Sequence, residues 1–205
     1  KIADGGWFPM TFELAVFLLM TTWRLGRQRL RQRRDESGMP LDVFATSIRD
    51  AEIPVIPGTA VFLTPNPDQV PHALLHSLKH YKSLHERVII LNVRVVEAPY
   101  VSIDQRVAIR TLGGRLFQVE VRFGFMDRPD LTETLHVCAS KGMACRADET
   151  SFFLGRETLI AHADPDYPLW RQKLFIAMSR NAGSLSAYFN LPVNRVVELG
   201  AQVVL

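Results

Sequence analysis

The strongest constraint on the fold is an apolar stretch near the N-terminus. Residues 7–23 read WFPMTFELAVFLLMTTW and contain one charged residue, Glu13. Apolar side chains occupy almost every central position, so a helix here has no polar side to turn towards water. In such a helix Trp7 and Trp23 would stand about 24 Å apart, a separation that suits anchors at the two membrane interfaces. We therefore expect a transmembrane helix.

An arginine series follows this stretch directly. It has six members before the first acid, Asp35: Arg24, Arg27, Arg29, Arg31, Arg33 and Arg34. Basic residues behind an apolar span stay on the cytoplasmic side, so the chain after Trp23 is predicted to be cytoplasmic. The opposing interpretation is a helix buried in a soluble core. The short length and Glu13 favour it, since a carboxylate at mid-span costs about 2.5 to 3.5 kcal/mol on insertion scales.

The charge is distributed unevenly along the chain. Residues 1–34 carry seven Lys or Arg against two acids, whereas the other 171 residues carry 17 against 19. This concentration in one segment suits anionic lipid head groups. It argues against nucleic acid, whose binding face would spread basic residues over the folded domain.

Two further features concern the cell compartment and the extent of the chain. Cys138 and Cys145 are spaced C-x6-C, which matches neither a zinc motif nor a redox pair and predicts reduced cytosolic thiols. The sequence begins with Lys1 and not Met, so we expect part of a longer protein, with the apolar span as the last of several.

Residues 38–205 are predicted to form an α/β domain with a mixed β-sheet and flanking helices. Strands at 58–64 and 87–96 with a helix at 70–81 between them form a βαβ unit, whose strands should be parallel. Alternating runs at 106–112 and 115–123 flank Gly113-Gly114, which predicts an antiparallel hairpin. Further helices are expected at 40–50, 130–141 (capped by Asp130) and 168–189 (with a kink or break at Gly183), and strands at 151–160 and 194–204.

The turn after the first strand is the candidate ligand-binding site. Thr64, Asn66 and Asp68 lie there, stiffened by Pro65 and Pro67. Ligands of open α/β sheets bind beyond the carboxyl ends of strands, which is where this turn lies. The alternative is a rigid turn that caps the following helix.

Signatures of catalysis are missing from the sequence. His72, His76 and His80 recur on one side of a predicted helix, where two histidines could share a metal, but a usable site needs a further ligand and no metal motif supplies it. There is no nucleophile elbow, Walker loop or dinucleotide fingerprint. We predict no catalytic residue, no metal and no cofactor, and hence no enzyme.

A series of longer stretches carries a family resemblance. They are GGWFP (5–9), LMTTW (19–23), GTAVFLTPNPDQVPHALLHSLKH (58–80), HERVIILNV (85–93), RFGFMDRPDL (122–131), SFFLGRETLI (151–160), LWRQKLFIAMSRNA (169–182) and NRVVELGAQV (194–203). In this order they resemble the last transmembrane helix and the C-terminal cytoplasmic domain of the Kup-type bacterial potassium uptake proteins. The resemblance covers nearly the whole chain.

The resemblance implies potassium uptake coupled to protons in the bacterial inner membrane. It puts the potassium and proton sites in upstream helices outside this sequence. Some relatives are thought to bind a nucleotide regulator such as cyclic di-AMP, and a homodimer is left open. Glu13 departs from the small or apolar residue expected there, and would face the transporter's interior or be protonated.

Three interpretations therefore compete: part of a transporter with a regulatory or assembly domain, a soluble α/β nucleotide-binding module without transport role, and an enzyme. The arginine series favours the first over the second, because a helix buried in a soluble core does not usually run straight into six arginines. The missing catalytic motifs weigh against the third.

Overall fold

The computed structural model describes residues 7–49, 51–143, 145–146, 149–181, 183 and 185–205. The helices are α1 (Trp7–Ser37), α2 (Leu41–Arg49), α3 (His72–Tyr81), α4 (Ile103–Arg106), α5 (Leu131–Ser140), α6 (Leu169–Arg180) and α7 (Leu185–Tyr188). The strands are β1 (Val55–Thr64), β2 (Leu84–Val96), β3 (Val107–Gly113), β4 (Leu116–Gly124), β5 (Thr150–Ile160) and β6 (Val196–Val204).

The chain forms two compact units. The first combines the described residues of 1–37, 157–182 and 202–205, and the second those of 38–156 and 183–201. The described part of the predicted N-terminal segment, residues 7–34, therefore shares a unit with residues from much later in the chain. Among the described residues, the first unit has one buried apolar cluster and the second has two, one on each face of its strands.

The strands form one six-stranded sheet in the order β3-β4-β2-β1-β5-β6. β1 lies parallel to both β2 and β5, and β2 lies parallel to β4. β3 and β4 are antiparallel, and the glycines between them, Gly113 and Gly114, have φ of 121° and 57°. These positive angles are the ones that a tight hairpin turn requires. The predicted mixed sheet, parallel βαβ unit and antiparallel hairpin are all confirmed.

Helices of the second unit cover both faces of its strands. On one face, α2 and α3 pack on alternate strand residues, among them Phe62 and Ile90. On the other face, α5 packs on the intervening residues, among them Val61 and Ile89. Consecutive residues of β1 and β2 therefore enter opposite clusters, which explains why these two strands read as unbroken apolar runs.

The predicted helix ends are partly confirmed. Asp130 caps α5 as expected, because its Oδ1 accepts hydrogen bonds from the backbone N–H of Thr132 at 2.8 Å and of Glu133 at 3.0 Å. Asn190 donates to its Oδ2 at 2.8 Å. Desolvation raises the pKa of Asp130, but these hydrogen bonds outweigh it and the pKa is lowered. The helix predicted over 168–189 is broken near Gly183 into α6 and α7.

The first unit is organised around α1, which continues without a break from the apolar stretch through the arginines. Its second half packs on α6, and Tyr167, Phe175 and Leu205 form the buried cluster. Its first half, from Trp7 to Met20, is largely exposed, and Phe17 exposes 65% of its surface. The opposing interpretation, a helix buried in a soluble core, therefore disagrees with the structure of this stretch.

The predicted conformation of residues 7–23 is confirmed, since all of them are helical. In the described part of the chain, however, no helix combines the length and the apolar character that crossing a membrane demands. The prediction that residues 7–23 span the membrane is therefore not confirmed. Glu13 interrupts the apolar residues and Arg24 ends them.

Candidate functional site

The side chains of the predicted site hold the backbone of their own turn. Thr64 Oγ1 donates to the carbonyl oxygen of Asn66 at 2.9 Å and accepts from its N–H at 3.3 Å. Asn66 Oδ1 accepts from the N–H of Asp68 at 3.1 Å. These are the short-range bonds by which Thr and Asn stabilise turns. The structure thus brings the three predicted residues together as a closed turn.

Two residues from neighbouring strands fix this turn, and the sequence analysis missed both. Asn92 of β2 donates its Nδ2 to the carbonyl oxygen of Thr64 at 2.9 Å, and Gln118 of β4 donates to that of Pro67 at 2.7 Å. Asn92 is 2% exposed, and its Oδ1 has no hydrogen-bond partner among the described residues. The available signal was an amide in the apolar run RVIILNVRVV, where an unpaired polar group is costly.

Several polar groups of this turn are already hydrogen-bonded, which limits the kinds of ligand that it could bind. Asp68 is exposed, whereas the Thr64 hydroxyl and the Asn66 carbonyl already bind backbone groups. The Asp68 carboxylate opposes an anion at the start of α3, although the free N–H groups of a helix start would attract one. A ligand here would therefore present a hydrogen-bond donor or a cation.

Two of the predicted arginines are engaged inside the first unit. Arg34 forms a bidentate ion pair with Glu157, with Nε at 2.7 Å and Nη2 at 2.6 Å from the carboxylate oxygens. Arg29 Nη1 lies 3.4 Å from Asp164 Oδ2. These acids lie 123 and 135 residues later in the chain, so no local pattern could have indicated the pairing.

The other four arginines behave differently. Arg33 pairs with Glu36 on the same helix at 3.8 Å, and the guanidinium of Arg27 lies 5.9 Å from the Trp23 ring centre. Arg24, Arg27 and Arg31 recur at helical spacing and are exposed. α1 therefore has two basic sides. Its inner side, with Arg29 and Arg34, pairs with acids of its own unit, and its outer side, with Arg24, Arg27 and Arg31, is exposed.

The histidines singled out in the sequence are exposed, and the two cysteines are buried. His72, His76 and His80 are exposed, and the rings of the last two stack at 5.6 Å. No group of three metal-ligating side chains occurs among the described residues. Cys138 and Cys145 are free and buried. Desolvation, with Cys145 nearby, raises the pKa of Cys138 to about 12, so it is a protonated thiol and a poor nucleophile.

Comparison with known proteins identifies the family. A family model described as K+ potassium transporter C-terminal domain matches residues 57–205. The chain belongs to this family. Together with the relatives described next, this match confirms the resemblance to the Kup-type potassium uptake proteins. No solved structure matches the chain.

Similar proteins extend over the whole chain. A probable potassium transport system protein Kup 3 of Dechloromonas aromatica is 52% identical over 205 residues, which are 100% of this chain and 33% of that protein. Probable Kup proteins of Aromatoleum aromaticum and Myxococcus xanthus are each 48% identical over 203 residues, covering 99% of this chain and 32% and 31% of theirs. The chain thus spans about a third of the length of these curated relatives. Their transport names agree with the expectation of a non-enzyme.

Proposed function

We propose that this chain is the C-terminal part of a bacterial potassium uptake transporter that couples potassium entry to protons. The observation that carries the proposal is the 52% identity, over every residue, with a relative named as a probable potassium transport system protein. The potassium and proton sites would lie in helices upstream of this sequence. The residues described above would then contribute no ligand to the transported ion.

The first half of α1 would lie in the inner membrane, with the residues after Trp23 on the cytoplasmic side. This assignment is supported by the exposed apolar side chains from Trp7 to Met20 and by the arginines that follow. Because the apolar part is short, we assign it a position against other transporter helices, where Glu13 faces the interior or is protonated. The open arginines, Arg24, Arg27 and Arg31, would meet anionic lipid head groups.

The second unit would be the regulatory or assembly domain, either binding a nucleotide regulator or joining two copies of the transporter. We propose the turn of Thr64, Asn66 and Asp68 as the regulatory contact. Its support is its position at the carboxyl ends of the parallel strands β1 and β2, together with the exposed Asp68 carboxylate. An amino or hydroxyl group of a nucleotide would supply the donor that this turn can accept.

The alternative of a soluble nucleotide-binding module without transport role is less well supported. It requires the apolar half of α1 to be buried within the chain, yet those side chains are exposed. An exposed, continuous apolar surface of this kind is typical of a membrane or protein contact.

Uptake measurements in cells test the proposal. The full-length protein that contains this chain would be expressed in a bacterial strain without its own potassium uptake systems, and rubidium entry measured. We expect the full-length protein to restore uptake, and a version that ends before residue 38 to reach the membrane with altered or lost uptake. Full-length protein at a normal membrane level that transports nothing would contradict the transport assignment.

The regulatory contact has its own test in the same assay. Asn66→Ala with Asp68→Ala should preserve membrane level while changing the response of uptake to cell state, on the scale of about 5- to 150-fold in effector affinity. His76→Ala, which changes an exposed residue of the next helix, is the matched control. Uptake by the double variant that follows the control under every potassium and nucleotide condition would mean that the residues only form a turn.

A further inference from the structure

The start of α6 lies level with the end of the apolar half of α1. Arg171 donates from Nε to Thr22 Oγ1 at 3.1 Å and from Nη2 to Thr21 Oγ1 at 2.9 Å. One turn further along α6, the ring of Phe175 lies 5.6 Å from that of Trp23 and packs against Gly26. Successive turns of α6 therefore meet successive turns of α1 in the same order along the chain. The first turn of α6 lies at the end of the apolar half of α1.

Two large apolar side chains stand unpartnered at this N-terminus. Leu169 and Trp170 are exposed, and Trp170 exposes 55% of its surface. They immediately precede Arg171, whose guanidinium binds Thr21 and Thr22 at the end of the apolar half of α1. An exposed indole is thus held at the edge of the apolar half of α1.

On both helices, exposed apolar side chains are followed by basic side chains at this level. On α1 the exposed apolar residues, ending with Met20 and Trp23, give way to the exposed Arg24 and Arg27. On α6 Leu169 and Trp170 give way to Lys173, which is exposed one turn later on the same side. On both helices, apolar and aromatic groups are followed by basic groups at about the same height. This order fits the boundary of a bilayer.

We propose that Leu169 and Trp170 form a second membrane contact of this chain, inserting into the head-group region of an anionic bilayer beside Trp23. The inference rests on the proposed position of α1 in the membrane and adds a lipid contact from a later part of the chain. An anionic lipid surface is the occupant because Arg24, Arg27 and Lys173 complement its charge, and because the indole combines an apolar body with a polar N–H. Asp166, an exposed acid of the preceding loop, would be repelled by such a surface, so the proposed contact is limited to the helix start.

Tryptophan fluorescence tests this contact, since the chain has three tryptophans. Trp7→Phe with Trp23→Phe leaves Trp170 as the reporter, and Trp23→Phe with Trp170→Phe leaves Trp7. The matched control replaces all three by Phe and adds Val193→Trp, at a position that is 93% exposed in the second unit. Each chain of residues 1–205 would be reconstituted into phosphatidylglycerol-containing vesicles, with and without lipids brominated at shallow or deep acyl positions.

We expect Trp170 emission to shift to shorter wavelengths and to be quenched more by shallow than by deep bromines, while the indole introduced by Val193→Trp in the control is not quenched. Quenching of Trp7 without quenching of Trp170 would overturn this inference and leave the proposed position of α1 intact. If neither is quenched, both fail. Trp170 emission that is shifted without any quenching would indicate a protein partner and would also overturn the lipid contact.

Discussion

The two halves of α1 reverse the usual relation between polarity and burial. The first half is the more apolar, yet Leu14 and Phe17 are exposed. The second half carries the arginines, yet Thr22, Gly26 and Leu30 are buried at helical spacing on the side that faces its own unit. Burial along this helix therefore depends on which elements pack against it and not on its own polarity. Phe175 and its neighbours pack on the second half.

The largest change in stability is expected from a phenylalanine of α6 that packs on the second half of α1, and it is compared with a phenylalanine in the exposed first half. Phe175→Ala should lower the free energy of unfolding by about 3–5 kcal/mol, because a fully buried ring leaves a cavity beside α1. Phe17→Ala should change it by less than about 0.5 kcal/mol, because the ring contacts little of the chain. Denaturant unfolding of residues 1–205 in mild detergent, followed by far-UV circular dichroism, measures both.

A conservative variant guards against a general folding defect. Phe175→Leu keeps most of the apolar volume and should lose clearly less stability than Phe175→Ala. Equal losses of unfolding free energy for Phe175→Ala and Phe17→Ala would mean that the two halves of α1 are equally packed, and the difference described here would be wrong.

The same contrast appears in the second unit, where a polar side chain lies deep in an apolar strand. Asn92→Ala removes the donor to the carbonyl oxygen of Thr64 and should cost about 1–3 kcal/mol, since the carbonyl is left unpaired. Arg94→Ala, two residues along the same strand but exposed, should stay within about 0.5 kcal/mol. Thermal unfolding of the two variants compares them, and similar small losses would show that Asn92 does not anchor the turn.

The extent to which the sequence predicted the structure depends on distance along the chain. The hairpin at Gly113-Gly114 and the cap at Asp130 were predictable, because each is decided by residues within one turn or one loop. The turn of Thr64 to Asp68 was predictable for the same reason. Its anchors were not, because Asn92 and Gln118 reach it from strands 28 and 51 residues away.

The first unit was the least predictable part. From the sequence, all six arginines were expected to have the same role, because all six follow an apolar stretch. Their division into an inner and an outer side became visible only when Glu157 and Asp164 were brought back to α1 by the fold. Local patterns give the helix, and long-range contacts decide which of its sides is covered.

The smallest expected effect concerns this division of the arginines. Arg34→Gln should cost about 1 kcal/mol or less, because the ion pair with Glu157 is bidentate but partly exposed and open to screening by salt. Arg31→Gln should leave stability unchanged, since Arg31 is exposed on the outer side. A double-mutant cycle with Glu157→Gln isolates the pair, and its coupling energy should fall as salt rises.

Vesicle binding should rank the same two variants in the opposite order. Arg31→Gln removes a charge that the proposed function assigns to lipid, and should weaken binding to anionic vesicles by about 1 kcal/mol, roughly fivefold. Arg34→Gln should weaken it less, because Glu157 already neutralises that charge. If both variants lose the same affinity and the same stability, the arginines act as one uniform basic segment, and the inner and outer sides of α1 have no separate roles.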